Sequence, residues 1–203
     1  MGSDHYFSSS PRSERSTRTI RAVLAGRDVE LTTAGGVFSP DHLDEGTRVL
    51  LDTVPPPPRS GHLLDLGAGW GPIALSLAMQ SADATVWAVD VNERALDLTR
   101  KNAARLALHN INAVLPDDVP AGLRFATIWS NPPIRVGKPE LHAMLSRWLP
   151  LLDDGAEAWL VVAKHLGAES LQRWIGDELG LEVERAETSK GFRVLAARHP
   201  AAS

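Results

Sequence analysis

Cysteine is absent from all 203 residues, which excludes disulfides and thiolate chemistry and is compatible with an intracellular location. No apolar run approaches the roughly 18 residues needed to span a bilayer, and the N-terminus lacks the apolar stretch of a signal peptide. A soluble cytoplasmic protein is the expectation. A large charge of one sign is missing too. The net charge is −4 and the isoelectric point about 6.0, which argues against a surface that holds nucleic acid everywhere and leaves that task to local patches. What is present is an ordinary globular composition in a chain long enough to bury a full core as one domain with a small appendage.

The chain organises itself around Asn131-Pro132-Pro133, followed by Ile134-Arg135-Val136-Gly137-Lys138. This turn comes directly after the apolar run Phe125-Ala126-Thr127-Ile128-Trp129, which reads as a buried strand. Ligands of open α/β sheets bind at the carboxyl ends of parallel strands. Two prolines fix φ and remove two N–H donors, so the corner is rigid, rich in acceptors and suited to holding an amino group by its hydrogens.

Residues 1–15 are polar and rich in Ser and Arg. Thr19 to Leu24 and Val29 to Thr33 alternate apolar and polar positions about Ala25-Gly26-Arg27-Asp28, which predicts a β-hairpin. The spacing of Arg12, Arg15, Arg18 and Arg21 suits either phosphate binding or, more often, a charged edge that discourages strand pairing. Gly35-Gly36-Val37-Phe38-Ser39-Pro40 reads as a loop in which Phe38 either plugs the core or lids a pocket. Leu43 to Val54 has helical periodicity. Pro55 to Pro58 forms a stiff spacer, so the chain divides into an N-terminal arm, hairpin, loop and helix over 1–58 and a main domain over 59–203.

From Gly61 strands and helices alternate, which indicates a mostly parallel sheet covered on both faces. Strands are predicted over His62 to Leu66, Thr85 to Asp90, Ile111 to Leu115, Phe125 to Ser130 and Glu157 to Ala163. Helices are predicted over Pro72 to Gln80, Asn92 to Leu106, Pro139 to Leu152 and Ala168 to Leu179. Leu181 to Thr188 and Phe192 to Ala197 close the series around Ser189-Lys190-Gly191, too short a link for a parallel crossover, so the last strand is antiparallel. The fold class is therefore α/β: a Rossmann-like, seven-stranded, mostly parallel sheet with an N-terminal β-hairpin appended.

Asp65-Leu66-Gly67-Ala68-Gly69-Trp70-Gly71-Pro72 follows the first strand of the main domain and opens a helix. Glycines at 67, 69 and 71 allow a tight turn and leave space for a ligand. The spacing is one residue shorter than the dinucleotide fingerprint. A carboxylate at Asp65 repels a pyrophosphate and suits an ammonium, which disfavours NAD and favours S-adenosylmethionine. Asp90, at the end of the second strand, is placed either for two ribose hydroxyls or to complement a helix dipole. Val91 flanks the adenine or belongs to the core. Of Asp117 and Asp118 after the third strand, Asp117 is the choice for the adenine amino group, against the common solvated turn aspartate.

These residues resemble the class I S-adenosylmethionine-dependent methyltransferases, and more narrowly the "methyltransferase small" domain of ribosomal RNA guanine-N2 methyltransferases. Asp65-x-Gly67-x-Gly69-x-Gly71, Asp90 and Asn131-Pro132-Pro133 match the donor and amino-acceptor motifs. Gly36-Val37-Phe38-Ser39 with Leu43-Asp44-x-Gly46-Thr47, the opening His5-Tyr6-Phe7-Ser8 and the closing Lys190-Gly191-Phe192-Arg193-Val194-Leu195 carry the narrower likeness. Many enzymes of this kind have an aromatic after Asn-Pro-Pro that stacks on a flipped base. Here Ile134 stands there, so stacking falls to Phe38 or is replaced by apolar sandwiching. The larger bacterial members resemble a duplication, of which this chain has the catalytic half.

The resemblance implies methylation of an exocyclic amine, guanine N2 in ribosomal RNA or a small-subunit particle. Asn131, Pro132 and Pro133 would be catalytic. Asp65, Gly67, Ala68, Gly69, Gly71, Asp90, Val91, Asp117 and Asn131 would hold the donor, and Phe38, Ile134, Arg135 and Lys138 the RNA. Neither a metal nor a membrane is expected, and His109, His142 and His165 have no metal-like spacing. The rival readings are a protein glutamine or DNA adenine acceptor at the same corner, a non-catalytic RNA-binding or ribosome-assembly factor with this fold, and a dehydrogenase, which Asp65 and the glycine spacing disfavour.

Overall fold

The computed structural model describes residues 17–200; His5-Tyr6-Phe7-Ser8, Arg12 and Arg15 lie outside the described residues. The chain opens with the hairpin β1 (Thr17–Leu24) and β2 (Arg27–Ala34), whose residues pair from Thr17 with Ala34 to Leu24 with Arg27. Ala25 and Gly26 both have positive φ, 48° and 72°, which is the two-residue turn whose twist matches that of flanking strands. Arg18 pairs with Asp41, and Arg21 with Glu30 at 3.3 Å, so the two described arginines of the N-terminal series are engaged in ion pairs.

After α1 (Glu45–Thr53) the tetraproline leads into a seven-stranded sheet: β3 (Ser60–Leu66), β4 (Asp83–Val89), β5 (Ile111–Val114), β6 (Phe125–Ser130), β7 (Leu152–Ala163), β8 (Glu182–Ser189) and β9 (Phe192–Arg198). Its order is β5-β4-β3-β6-β7-β9-β8, with β9 alone running opposite to the other six strands. Lys190 and Gly191, with φ of 49° and 84°, make the β8–β9 turn the same way as in the first hairpin. The helices between strands are α2 (Pro72–Gln80), α3 (Glu93–Arg105), α4 (Lys138–Trp148) and α5 (Ala168–Leu179). Helix α4 ends earlier than its sequence suggests. Pro150 cannot donate to a helical ladder, so α4 stops at Trp148, a 3₁₀ turn covers Leu149–Leu151, and β7 starts at Leu152 instead of Glu157.

Alternate residues of each central strand serve opposite cores. Leu64, Leu66, Ile128, Leu160 and Val162 pack with α4 and α5, whereas Leu63, Val86, Trp129 and Val161 pack with α1, α2 and α3. Strands buried on both faces read as continuous apolar runs, as these do. Helix α2 is apolar all round because it too is covered twice. Ile73, Ala74 and Leu77 face the sheet, and Leu75 joins Ile20, Leu24, Leu31, Trp70, Ala95 and Leu98 beneath the hairpin. Asn102 of α3 fastens that hairpin. Its Oδ1 accepts from Thr32 N at 2.7 Å, and its Nδ2 donates to the carbonyls of Thr32 at 2.9 Å and Trp70 at 3.0 Å.

Candidate active site

The sheet reverses its winding between β3 and β6, whose parallel pairing runs from Leu63 with Thr127 to Leu66 with Ser130. A crevice opens where two adjacent parallel strands send their connections to opposite faces. Gly67 leaves β3 and Asn131 leaves β6 at that crevice, and Ser130 Oγ donates to Leu66 O at 2.6 Å, fixing the two exits together. The two motifs read separately in the sequence are thus adjacent: a Cβ on Gly67 would stand 3.8 Å from Pro133 Cδ. The pocket between them is lined by Phe38, Ser39, Asp44, Thr47, the loop from Gly67 to Trp70, Pro72, Ile73 and Asn131.

The glycine loop folds as it does because its orphan N–H groups find acceptors on β4. Gly67 N and Ala68 N donate to Val89 O at 2.8 and 3.0 Å, and Gly69 N to Asp90 Oδ2 at 2.8 Å. At Gly71 the φ is 95°, and a Cβ would stand 2.8 Å from Thr99 Oγ1 and Cγ2, so conformation and space both require glycine there. Helix α2 then starts with Pro72 at its first turn.

Two carboxylates lie under the loop. Asp65 is 0% exposed; its Oδ2 accepts from Ala74 N in the first turn of α2 at 2.8 Å, while Oδ1 has no partner among the described residues. Burial pushes its pKa from 3.8 up to about 8, against the Ala74 N–H, with the neighbouring charge of Asp90 adding to the rise. Asp90 is 8% exposed, and its pKa is raised by burial while the N–H groups of Asn92, Gly69 and Val91 oppose the shift. Its Oδ1 accepts from Asn92 N at 2.8 Å. Asn92 in turn caps α3 and donates from Nδ2 to Gly36 O at 3.0 Å, drawing the Phe38 loop toward the carboxyl end of β4. Trp70 Nε1 donates to Ser39 O at 3.2 Å and secures the same loop.

The remaining expected residues separate into those in the pocket and those around it. Phe38 lines the pocket and is 42% exposed, so it is a wall of the site, not a core plug. Val91 is 49% exposed at the end of β4. Asp117 stands beyond β5 and pairs with Arg147 of α4 at 2.9 Å, with Arg147 also donating to Pro116 O. Pro132 is buried, and its carbonyl accepts from Ile134 N at 2.8 Å across Pro133, whose φ of −74° and ψ of 73° make an inverse γ-turn. Ile134 is half-buried and packs on the α4–α5 core. Arg135 and Lys138 are exposed where α4 begins.

Sequence reasoning did not assign Asp44, Thr47, Ser39, Trp70, Pro72 or Ile73 to the site. Asp44 and Thr47 carry a signal in the Leu43-Asp44-x-Gly46-Thr47 run. Their partner is Asn131, 87 and 84 positions away, and no periodicity encodes that contact.

Known proteins resemble this chain in sequence and fold. The family description of the methyltransferase small domain matches residues 28–196. The chain is 36% identical to the uncharacterized protein YbxB of Bacillus subtilis strain 168 over 199 residues, 97% of this chain and 98% of that one. It is 40% identical to ribosomal RNA small subunit methyltransferase C of Hamiltonella defensa over 114 residues, 55% of this chain and 33% of that enzyme. The T. thermophilus 16S rRNA N2 G1207 methyltransferase RsmC, solved in complex with AdoMet and guanosine, shares the fold with a TM-score of 0.79 at 23% identity, over 91% of this chain and 51% of that one. The chain therefore spans a third to a half of those two enzymes. It belongs to the methyltransferase small domain family of S-adenosylmethionine-dependent methyltransferases.

Proposed function

We propose that this protein methylates the exocyclic N2 amine of a guanine in small-subunit ribosomal RNA. The observation that carries the reading is the meeting of the glycine loop and the Asn131-Pro132-Pro133 turn at one crevice, with an aromatic, Phe38, on its wall. The partial likeness to small-subunit methyltransferase C, and the guanosine in the T. thermophilus complex, support the choice of acceptor.

The residues present fit the cofactor. Asp65 Oδ1 is a buried acceptor without a partner among the described residues, suited to an ammonium that reaches it through the glycine loop. Asp90 keeps acceptor capacity for a ribose hydroxyl beyond that used by the N–H groups of Gly69, Asn92 and Val91. Val91 and the backbone about Asp117 would border the adenine. S-adenosylmethionine supplies a methyl carbon activated by its sulfonium.

The chain's own part is to hold the amine. A guanine N2 lone pair is conjugated with the ring and is a poor nucleophile until the amino hydrogens are drawn out of the ring plane. Asn131 Oδ1 accepts one hydrogen and the second lone pair of the Pro132 carbonyl the other, the first being used by Ile134 N–H. Phe38 stacks on the base turned out of its helix, and Ile134 remains on the core side as support. No strong general base is needed, because the amine becomes acidic only as the N–C bond forms and the S–C bond of the sulfonium breaks, and its proton then passes to solvent; positioning would supply most of the rate.

Nucleoside mass spectrometry of ribosomal RNA from cells with and without the gene tests this reading. An N2-methylguanosine lost with the gene and restored by the protein is the expected result. Labelled methyl appearing instead in DNA or in release-factor protein overturns the choice of acceptor, and no transfer to any amine overturns the activity.

A further inference from the structure

A carboxamide is nearly symmetric in shape but not in chemistry. Turning Asn131 by half a revolution about its last torsion exchanges an acceptor for a donor at the same point in space. Only the orientation with Oδ1 toward the acceptor site can draw on an amino hydrogen, so something must choose it.

The choice lies outside the Asn-Pro-Pro turn. Asn131 Nδ2 donates to Asp44 Oδ2 at 2.8 Å and to Thr47 Oγ1 at 2.9 Å, which uses both hydrogens of its amino group. A carboxylate oxygen only accepts, so the flipped amide would set Oδ1 against Asp44 Oδ2 and leave a half-buried clash of two acceptors. Asp44 is itself held: the same Oδ2 accepts from Thr47 N at 3.1 Å, as the N-cap of α1. Thr47 is 3% exposed, at the start of α1. Gly46 lets the cap approach this closely, since a Cβ there would stand 2.9 Å from Phe192 Cε1 and 3.0 Å from Asp44 Oδ2.

We infer that Asp44 and Thr47 are positioning residues: by taking both amino hydrogens of Asn131 they hold its carboxamide oxygen toward the methyl acceptor. The inference rests on the reading above, in which Asn131 Oδ1 accepts a hydrogen of the acceptor amine. It gives α1, which precedes the methyltransferase sheet in the chain, a direct part in the chemistry of residue 131.

Two substitutions remove the hold with little change elsewhere. Asp44→Ser keeps an N-cap for α1 but is too short to reach Asn131, and Thr47→Val keeps the shape of threonine without its hydroxyl. Asp44→Asn and Thr47→Ser retain an oxygen at each point. In the combined Asp44→Ser, Thr47→Val protein, donor affinity by calorimetry and the KM for donor should equal wild type, while kcat for methyl transfer falls by about 100-fold, the scale of a lost catalytic alignment. The combined Asp44→Asn, Thr47→Ser protein should recover most of the rate. Independently of any acceptor, the ¹⁵N-labelled side-chain amide of Asn131, identified by its loss in Asn131→Ala, should exchange slowly with solvent in wild type and fast in the combined variant. Donor affinity falling in step with kcat would make both residues donor ligands and overturn the inference, as would fast exchange with an undiminished kcat. If wild type transfers methyl to no amine, the proposed function fails by itself; unchanged amide exchange in the combined variant then overturns the positioning role.

Discussion

At Asn131 the side-chain amino group is taken up by Asp44 and Thr47, and the proposed function assigns the amide oxygen to the acceptor amine. Asn131→Ala should leave donor binding largely intact by calorimetry while methyl transfer falls by about 100-fold or more, as when one preorganised polar contact is removed elsewhere; equal losses of both would deny it this role. Asp65 makes a prediction in pH. Its pKa of about 8 in the folded protein lies above the ordinary 3.8, so between those values the folded chain holds a proton that the unfolded chain has released. Its contribution is full below about pH 4 and is lost as pH rises through 8, at up to about 1.4 kcal/mol per pH unit. Urea midpoints of the donor-free protein should fall from pH 5 to pH 8, and Asp65→Asn should flatten that decline. A donor ammonium at Oδ1 favours the ionised form, so donor binding near pH 7 should release a proton in wild type and not in Asp65→Asn, read from calorimetric heats in buffers of different ionisation enthalpy.

Among the elements, the hairpin β1–β2 shows how a small sheet without a core of its own is kept in place. Its apolar face completes the cover of α2 and α3, and Asn102 meets the backbone of Thr32 as a neighbouring strand would, with one acceptor and one donor. Asn102→Leu keeps the volume but strands Thr32 N–H, Thr32 C=O and Trp70 C=O, at a cost of roughly 2–4 kcal/mol. That is a large share of a typical domain stability, so chemical denaturation should show it plainly. The Phe38 loop continues from this hairpin and is tied through Asn92 and Trp70. Loosening at Asn102 should therefore also weaken the substrate side of the pocket.

The molecule as a whole gathers its candidate site residues at the carboxyl end of the parallel strands. Parallel β3, β6 and β7 end there, and antiparallel β9 begins there. Arg135, Lys138, Lys164 and Lys190 consequently follow or flank the same end as Asn131, although the chain carries a net charge of −4. Lys190 is paired with Glu45 at 2.6 Å, whereas Lys138 is exposed at the start of α4. If Lys138 holds a phosphate of single-stranded RNA, Lys138→Ala should lower the slope of log affinity against log salt by about 0.7. An unchanged slope from a salt titration of RNA binding would remove it from the interface.

Much of this was legible before folding. Alternation in the hairpin, apolar runs between turn residues, and the glycine and Asn-Pro-Pro motifs are local signals, each set by backbone geometry within a few residues. They yield the strand and helix succession, the antiparallel last strand and the two ends of the site. Local signals fail where the deciding contact is distant. Strand order alone brings Gly67 beside Pro133, and a helix cap 87 residues upstream orients Asn131. The burial of Asp65, and with it the pKa near 8, arises only once α2 closes over β3. A carboxylate's place in the sequence shows that an acid is present, but the dielectric around it and the donors that reach it exist only in the packed chain.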